Sequence, residues 1–183
     1  MVVVRNGYII YQGSEASVKN NTFSVGKSLT STILGKMIDE GILQLDSPAA
    51  EFEPLLSEHY PKVTLRHFAT MTSGYNAAGV CRFPGQPENL DWSVTPYDAG
   101  TPLFAPGAMY LYWDEAMLMY GRVLTKVLGK SLADYFNEKV GSKIGLERLS
   151  WREEGQVDGI TINQGCGMIT MNALELARFG HLF

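Results

Sequence analysis

Ser24 and Lys27 have the sequence spacing expected of a nucleophilic serine and the lysine that activates it. This is the one S-x-x-K pattern in the sequence. On a helix, residues three apart lie on the same face about one turn apart, so the lysine amine can take the serine hydroxyl proton. The positive partial charge of a helix N-terminus also favours negative charge on the serine oxygen. The spacing therefore indicates a serine activated by a lysine.

The residues after Ser24 predict the helix that this chemistry needs. Apolar residues recur at spacings of three and four, which is typical of one buried helix face, and Gly41 is the predicted end. These apolar residues are Leu29, Ile33, Leu34, Met37, Ile38 and Ile42. Serine is also a preferred N-cap residue, so Ser24 could merely cap this helix, with Lys27 solvated in its first turn. The local sequence leaves both readings open.

Other segments carry clear local signals. An Asn-Gly pair between β-branched and aromatic runs predicts a β-hairpin over residues 1–12. Apolar periodicity and capping residues predict four more helices, which begin near Thr64, Asp114, Ser131 and Asn172.

The stretch from 75 to 107 has no lasting periodicity and is rich in proline, glycine and aromatic residues. Loops of this length are usually functional or mobile. We interpret this one as a cleft wall that carries Trp92, Tyr97 and Phe104, with an irregular packed surface as the alternative.

Composition excludes several classes of function. With 183 residues and 45% hydrophobic content, the chain is expected to form one domain around one core. It has 15 basic against 19 acidic residues, a net charge of −4, and no basic stripe, which argues against nucleic acid as a partner. No apolar run reaches the roughly 20 residues that span a bilayer. The first residues do not resemble a signal peptide, so a cytoplasmic location is favoured.

Cysteine and histidine spacing predicts neither a disulfide nor a metal centre. Cys81 and Cys166 are far apart, and we expect two free thiols. The three histidines show no metal-ligand spacing with each other or with the cysteines. No cofactor is expected.

Four motifs, in this order, resemble those of the serine hydrolase family that includes class C β-lactamases, DD-peptidases, related esterases and nylon-oligomer hydrolases. Residues 24–28 resemble the nucleophile motif of that family, and residues 63–74 resemble the stretch that leads to its T-S-G turn. Pro-Gly at 106–107, followed by residues 110–114, is similar to the P-G…F-x-Y-S-N segment. Residues 174–180 are similar to the D-L-A-R-F-G helix. The resemblance implies an α+β, β-lactamase/DD-peptidase-like fold.

The resemblance also implies roles for individual residues. Ser24 would form an acyl-enzyme, Lys27 would activate it, and Tyr112 would pass the proton to the leaving group. The backbone N–H of Ser24 would supply one oxyanion donor. Asp114 and Trp113 would bind substrate. For Tyr112, packing within an aromatic run is the alternative.

Asp114 departs from the family pattern, which usually has asparagine at this position. An asparagine amide donates a hydrogen bond to substrate, whereas an ionised aspartate only accepts. Asp114 would also hold Lys27 in its charged form, which is a poor base, so we expect Tyr112 to carry more of the proton transfer. Small esters or amides are then favoured over penicillins and cephalosporins. The alternative is that Asp114 is only a helix cap.

The third family motif, a K-T-G or H-x-G triad on a strand, has no counterpart in this sequence. Only one hairpin is evident, so we expect a partial domain over 1–183, with the hairpin at 1–12, a helical region over 24–183 and the C-terminal sheet strands missing. An exposed hairpin edge invites pairing with another chain. We therefore expect a homodimer, or association with a separate C-terminal fragment.

Two other enzyme classes are disfavoured, and one alternative stays open. Gly26-Lys27-Ser28 mimics the end of a phosphate-binding loop, but Asn21 stands where that loop needs glycine. No G-x-S-x-G nucleophile elbow occurs. The open alternative is a catalytically impaired relic or binding module of the same fold, because one lost oxyanion donor slows acyl transfer by about 10²–10³.

Overall fold

The structure is a computed structural model that describes residues 1–83 and 91–183, and it is of the α+β class. Its strands are β1 (Val2–Arg5), β2 (Tyr8–Gln12), β3 (Asn20–Asn21), β4 (Ser150–Trp151), β5 (Glu153–Val157), β6 (Ile160–Asn163) and β7 (Ile169–Met171). Its α-helices are α1 (Gly26–Asp39), α2 (Leu65–Ala69), α3 (Asp114–Leu128), α4 (Leu132–Lys139) and α5 (Ala173–Gly180). Within the described ranges, no helix is long and apolar enough to cross a membrane.

The N-terminal hairpin forms as predicted. Strands β1 and β2 pair antiparallel, with Val3 opposite Tyr11. Asn6 and Gly7 at the turn have φ of 49° and 79°, the left-handed pair that a two-residue hairpin turn requires. β1 packs against α5, while every residue of β2 is exposed.

The predicted helix starts are confirmed at three positions by capping hydrogen bonds. Thr64 and Asn172 each form a capping box with the residue three positions later. The Ser131 hydroxyl accepts from the backbone N–H of Asp134. At the other end of α3, Gly129 adopts φ of 61°, as a helix C-terminus commonly does.

The prediction of a helical region over 24–183 is wrong for residues 150–171, which contain four strands. β5 and β6 form a second hairpin around Asp158 and Gly159, both with positive φ. β7 pairs with β3 on one side and β4 on the other. These strands escaped prediction because β3 and β4 have two residues each and β5 is mostly polar and exposed. The Asp-Gly pair was the available signal.

The hydrophobic core is built around α3. This helix contacts α1, α2, α4 and β6, and Leu118, Tyr120 and Val123 are fully buried on it. α1 presents its predicted apolar stripe from Leu29 to Ile38 to this core and ends at Asp39, two residues before the predicted stop. Ile42, the last residue of the predicted stripe, lies beyond the helix and is exposed. The core thus holds the starts of α1 and α3 in fixed relation, and both carry candidate site residues.

The described parts of the stretch 75–107 run side by side and are bridged at Ala77–Ala99 and at Cys81–Ser93. Trp92 and Tyr97 are half-buried against the core. Residues 84–90 of the interpreted cleft wall lie outside the described residues.

Candidate active site

Ser24 lies in a single 3₁₀ turn, Phe23–Val25, immediately before α1. It is exposed, and it is not the cap residue of either helix. The reading of Ser24 as a mere cap is therefore wrong. Phe23 adopts φ of 48°, a left-handed conformation that is uncommon for a bulky residue and that lies one position before the candidate nucleophile.

Lys27 is the centre of the site. Its Nζ lies 3.2 Å from Ser24 Oγ, 2.5 Å from Asp114 Oδ1 and 2.8 Å from the backbone carbonyl of Cys166. Its side chain is 11% exposed, so the reading of Lys27 as a solvated residue is wrong. An ammonium group has three donors, and this one has an acceptor for each.

The environment of Lys27 keeps it charged. Burial by itself would lower the pKa of Lys27, but the hydrogen bond with Asp114, the adjacent Tyr112 and the charge of Asp114 outweigh it and raise the pKa above its ordinary value. A charged lysine donates to Ser24 Oγ and cannot accept its proton. The structure therefore places a positive charge beside the serine oxygen.

Tyr112 lies against Lys27, with the Nζ 4.6 Å from the centroid of the tyrosine ring. The ring is half exposed, and its cation–π contact involves the lysine that contacts Ser24. The structure thus brings together Ser24, Lys27, Tyr112 and Asp114, whose sequence positions span ninety residues.

Trp113 is placed differently. Its indole packs against the core and lines a narrow space with Tyr75, Leu103 and Phe104. Its Nε1 is buried with no hydrogen-bond partner among the described residues. No described hydrogen bond or ion pair joins it to Ser24 or Lys27, and its role in substrate binding stays a prediction.

Asp114 is the first residue of α3 and does not cap it, which corrects the reading of Asp114 as the helix cap. Trp113 occupies the N-cap position and makes no side-chain capping bond. The cap comes from Asp91, whose carboxylate accepts the backbone N–H groups of Asp114 at 2.5 Å and Glu115 at 2.7 Å. The Asp114 carboxylate is thereby left for Lys27.

The carbonyl of Cys166 is a site group that the sequence analysis missed. It belongs to the loop between β6 and β7, which meets the start of α1 closely enough that a Cβ on Gly167 would lie 2.0 Å from the carbonyl oxygen of Phe23. Gly167 also has φ of 140°. The Thr30 hydroxyl, buried on α1, donates to the carbonyl of Gly165 at 3.0 Å. The G-C-G run at 165–167 was the one sequence signal for this contact.

Both cysteines are free thiols, as predicted. Burial raises the pKa of Cys166 to about 12, so its sulfur stays protonated at neutral pH. Among residues 1–83 and 91–183, no three His, Cys, Asp or Glu side chains cluster as metal ligands would.

Comparison with known proteins places these features in a family context. The profile of the family described as Beta-lactamase matches residues 2–160. A beta-lactamase from Pseudomonas fluorescens is 27% identical over 160 residues, which cover 80% of this chain and 44% of that protein.

Solved structures share the fold. An octameric penicillin-binding protein homologue from Pyrococcus abyssi superposes with a TM-score of 0.75 at 19% identity, covering 99% of this chain and 51% of that one. D-alanine carboxypeptidase AmpC from Burkholderia cenocepacia gives a TM-score of 0.71 at 22% identity, covering 98% of this chain and 56% of that one. The chain therefore spans about half the length of the proteins it matches.

Proposed function

The chain belongs to the β-lactamase family, and on this premise we propose that it is a serine hydrolase whose Ser24 forms an acyl-enzyme with a small ester or amide. The observation that carries the proposal is the contact of 3.2 Å between Lys27 Nζ and Ser24 Oγ, made by a lysine that Asp114 keeps charged. A positive charge at this distance stabilises negative charge on the serine oxygen as it attacks a carbonyl carbon.

The proton of Ser24 needs an acceptor other than Lys27. Tyr112 is the group against that lysine, and as phenolate it would be stabilised by the ammonium. It takes the serine proton as Ser24 attacks and gives it to the leaving alkoxide or amine as the tetrahedral intermediate collapses. Water then hydrolyses the acyl-enzyme: Tyr112 takes a proton from the attacking water and gives it to the Ser24 oxygen as the acyl group leaves.

One oxyanion donor is available at the nucleophile. In the described part of the chain, no protein acceptor is bonded to the Ser24 N–H. This N–H is the donor that we assign to the oxyanion of the tetrahedral intermediate. The alternative to the proposal is a catalytically impaired relic or binding module of the same fold, in which Ser24 is not acylated.

Asp114 shapes the substrate preference. An ionised aspartate cannot donate to an acyl amide as asparagine does. We expect small esters and simple amides to acylate Ser24 faster than penicillins or cephalosporins, for which weak hydrolysis or binding is expected.

Intact-mass measurement after incubation with a fluorophosphonate tests the proposal. We expect one adduct on the wild type, mapped to Ser24 by peptide analysis, and none on Ser24→Ala. Ser28→Ala is the matched control, because Ser28 is an exposed α1 serine one turn further along. Absence of an adduct on folded wild-type protein would support the relic or binding module instead. Competition by p-nitrophenyl acetate and by a cephalosporin then ranks the two substrate classes.

The exposed hairpin supports a second proposal, on assembly. Tyr8 and Ile10 are 76% and 61% exposed, and a two-stranded hairpin alone is marginal in water. A groove of about 580 Å³ on α1 is flanked by Phe179 and Phe183. We propose that another copy of the chain adds strands to β2 and covers this groove. The homologue from Pyrococcus abyssi is described as octameric.

Sedimentation at micromolar concentration tests this assembly. A dimer that dissociates in a variant with Ile10→Lys supports edge pairing, because a charge on an edge strand opposes it. A monomer that binds an added C-terminal portion of a relative supports complementation by a separate fragment. A monomer that binds neither, with a hairpin protected from hydrogen exchange, contradicts the proposal.

A further inference from the structure

The start of α3 is capped by a residue that is distant in sequence. The first N–H groups of a helix have no partner within it and are usually satisfied by a local Ser, Thr, Asp or Asn. Here the local residue is Trp113, and the acceptor is the carboxylate of Asp91, 23 residues before Asp114. Each oxygen of Asp91 takes one N–H, that of Asp114 and that of Glu115.

A second carboxylate, on α3, binds backbone N–H groups of the stretch 75–107. Glu115, 1% exposed in the first turn of α3, accepts the backbone N–H of Ala77 at 3.1 Å and that of Ser93. Asp91 and Glu115 thus bind each other's backbone segment, and we call this pair the carboxylate clamp. Four N–H···O bonds of the clamp tie the described parts of the stretch 75–107 to the start of α3.

The clamp includes a residue on which the site depends. The backbone N–H of Asp114 is bonded to Asp91, and its carboxylate reaches Lys27 at 2.5 Å. Tyr112 is two residues before Asp114 and contacts the same lysine. Any rotation of the first turn of α3 would move both groups relative to Ser24.

Helix stability alone does not call for this arrangement. A serine or aspartate at position 113 could cap α3 locally, whereas a half-buried Asp91 and a buried Glu115 both lose hydration. Burial raises the pKa of both carboxyl groups, which reflects that loss. The advantage is geometric, because the bidentate Asp91 fixes two consecutive N–H groups at once.

We propose that Asp91 is a positioning residue for acyl transfer, which holds the start of α3 so that Asp114 and Tyr112 meet Lys27 beside Ser24. The proposal rests on the proposed function of Ser24. Asp91 acts through the helix and touches none of the reacting groups.

The test compares Asp91→Ala and Asp91→Asn with Ser131→Ala. Ser131 caps α4 through Asp134 and contacts no site residue in the described structure, so its loss removes a helix cap of similar type away from the site. We expect Asp91→Ala and Ser131→Ala to lower the midpoint of thermal unfolding comparably. Only Asp91→Ala should slow fluorophosphonate labelling of Ser24, by roughly tenfold, since one misplaced contact commonly reduces rates by that order or more.

Asp91→Asn should recover part of the labelling rate, because its amide oxygen still accepts one N–H. If Asp91→Ala does not fold, Asp91→Asn takes its place in the comparison with Ser131→Ala. Equal slowing by Asp91→Ala and Ser131→Ala would overturn the proposal, as would no slowing by any Asp91 variant.

A second readout separates failure of this proposal from failure of the proposed function. Acetic anhydride modifies unprotonated amines, and its reaction with Lys27 is followed by peptide mass. Displacement of Asp114 should raise Lys27 reactivity several-fold in Asp91→Ala but not in Ser131→Ala. If wild-type Ser24 is not labelled, the proposed function fails, and this measurement still decides the clamp: unchanged Lys27 reactivity overturns it.

Discussion

Replacing Asp114 with asparagine isolates the charge that the site adds to Lys27. The side chains of Lys27 and Asp114 are 11% and 12% exposed, and Lys27 Nζ lies 2.5 Å from Asp114 Oδ1. Asp114→Asn keeps the shape and one acceptor oxygen but removes the negative charge. The bond to Lys27 becomes an ammonium-to-amide hydrogen bond.

The expected loss of stability follows from the hydrogen bond that remains between Lys27 and the new asparagine. Hydrogen bonds to charged groups contribute about 1.5–3 kcal/mol, and the bond with two charges should lie near the top of this range and the bond with one near the bottom. Asp114→Asn should therefore lower the free energy of unfolding by about 1 kcal/mol. Loss of the Asp114 charge should also lower the pKa of Lys27, because that charge and its hydrogen bond help to raise it. Asp114→Ala should lose about 3 kcal/mol, because it leaves a buried cation short of an acceptor.

Urea unfolding measures the first quantity, and the pH dependence of Lys27 acetylation measures the second. Asp46→Asn is the control, since its pair with Arg66 is exposed and we expect little change. The new amide should also donate to β-lactams, raising their acylation of Ser24 relative to esters by about fivefold, the factor for one hydrogen bond of about 1 kcal/mol. A Lys27 pKa unchanged in Asp114→Asn, or an unchanged ratio of the two substrates, would refute this reasoning.

Three further predictions test separate features. Gly167→Ala should lower the free energy of unfolding by about 3 kcal/mol and slow Ser24 labelling, because its φ of 140° and the nearby carbonyl of Phe23 exclude a Cβ. The control is Gly180→Ala on α5, where a Cβ would meet open space, and it should be neutral or stabilising in the same urea titration. The raised pKa of Lys27 means that its charge contributes stability fully present below the unfolded pKa of about 10.4 and lost as pH rises through the folded value. Wild-type stability should therefore fall more steeply than that of Lys27→Met above this pH, and parallel curves would contradict the shift. Thr64→Ala should cost about 1 kcal/mol through its capping box without altering Ser24 labelling, as calorimetry and intact mass would show.

Local signals predicted much of this fold. The Asn-Gly turn and the caps at Thr64, Ser131 and Asn172 act within four residues, so their sequence patterns carry the structural information. Strands β4 to β7 were missed because they are short, partly polar and stabilised by distant partners. Such pairing is decided by tertiary contacts, which override local propensity.

The site was predictable to the extent that residue type carries its chemistry. Ser24 and Lys27 are linked by helical spacing, and their contact could be expected from sequence. The third acceptor of Lys27 is a backbone carbonyl, which every residue has, so Cys166 left no signal beyond its flanking glycines. Asp91 was missed for another reason: a cap 23 residues away falls outside any local capping pattern.

The three acceptors around Lys27 also bear on how the chain folds. They lie 3, 87 and 139 residues from it in sequence. Closing loops of such length loses chain entropy before the contacts can compensate, so long-range contacts slow folding and complete late. Lys27 can be held beside Ser24 only after α3 and the β6–β7 loop have docked onto α1. The reactivity of a single serine would then report completion of tertiary structure, and pulsed fluorophosphonate labelling during refolding should follow the slowest phase and not the earlier formation of helices.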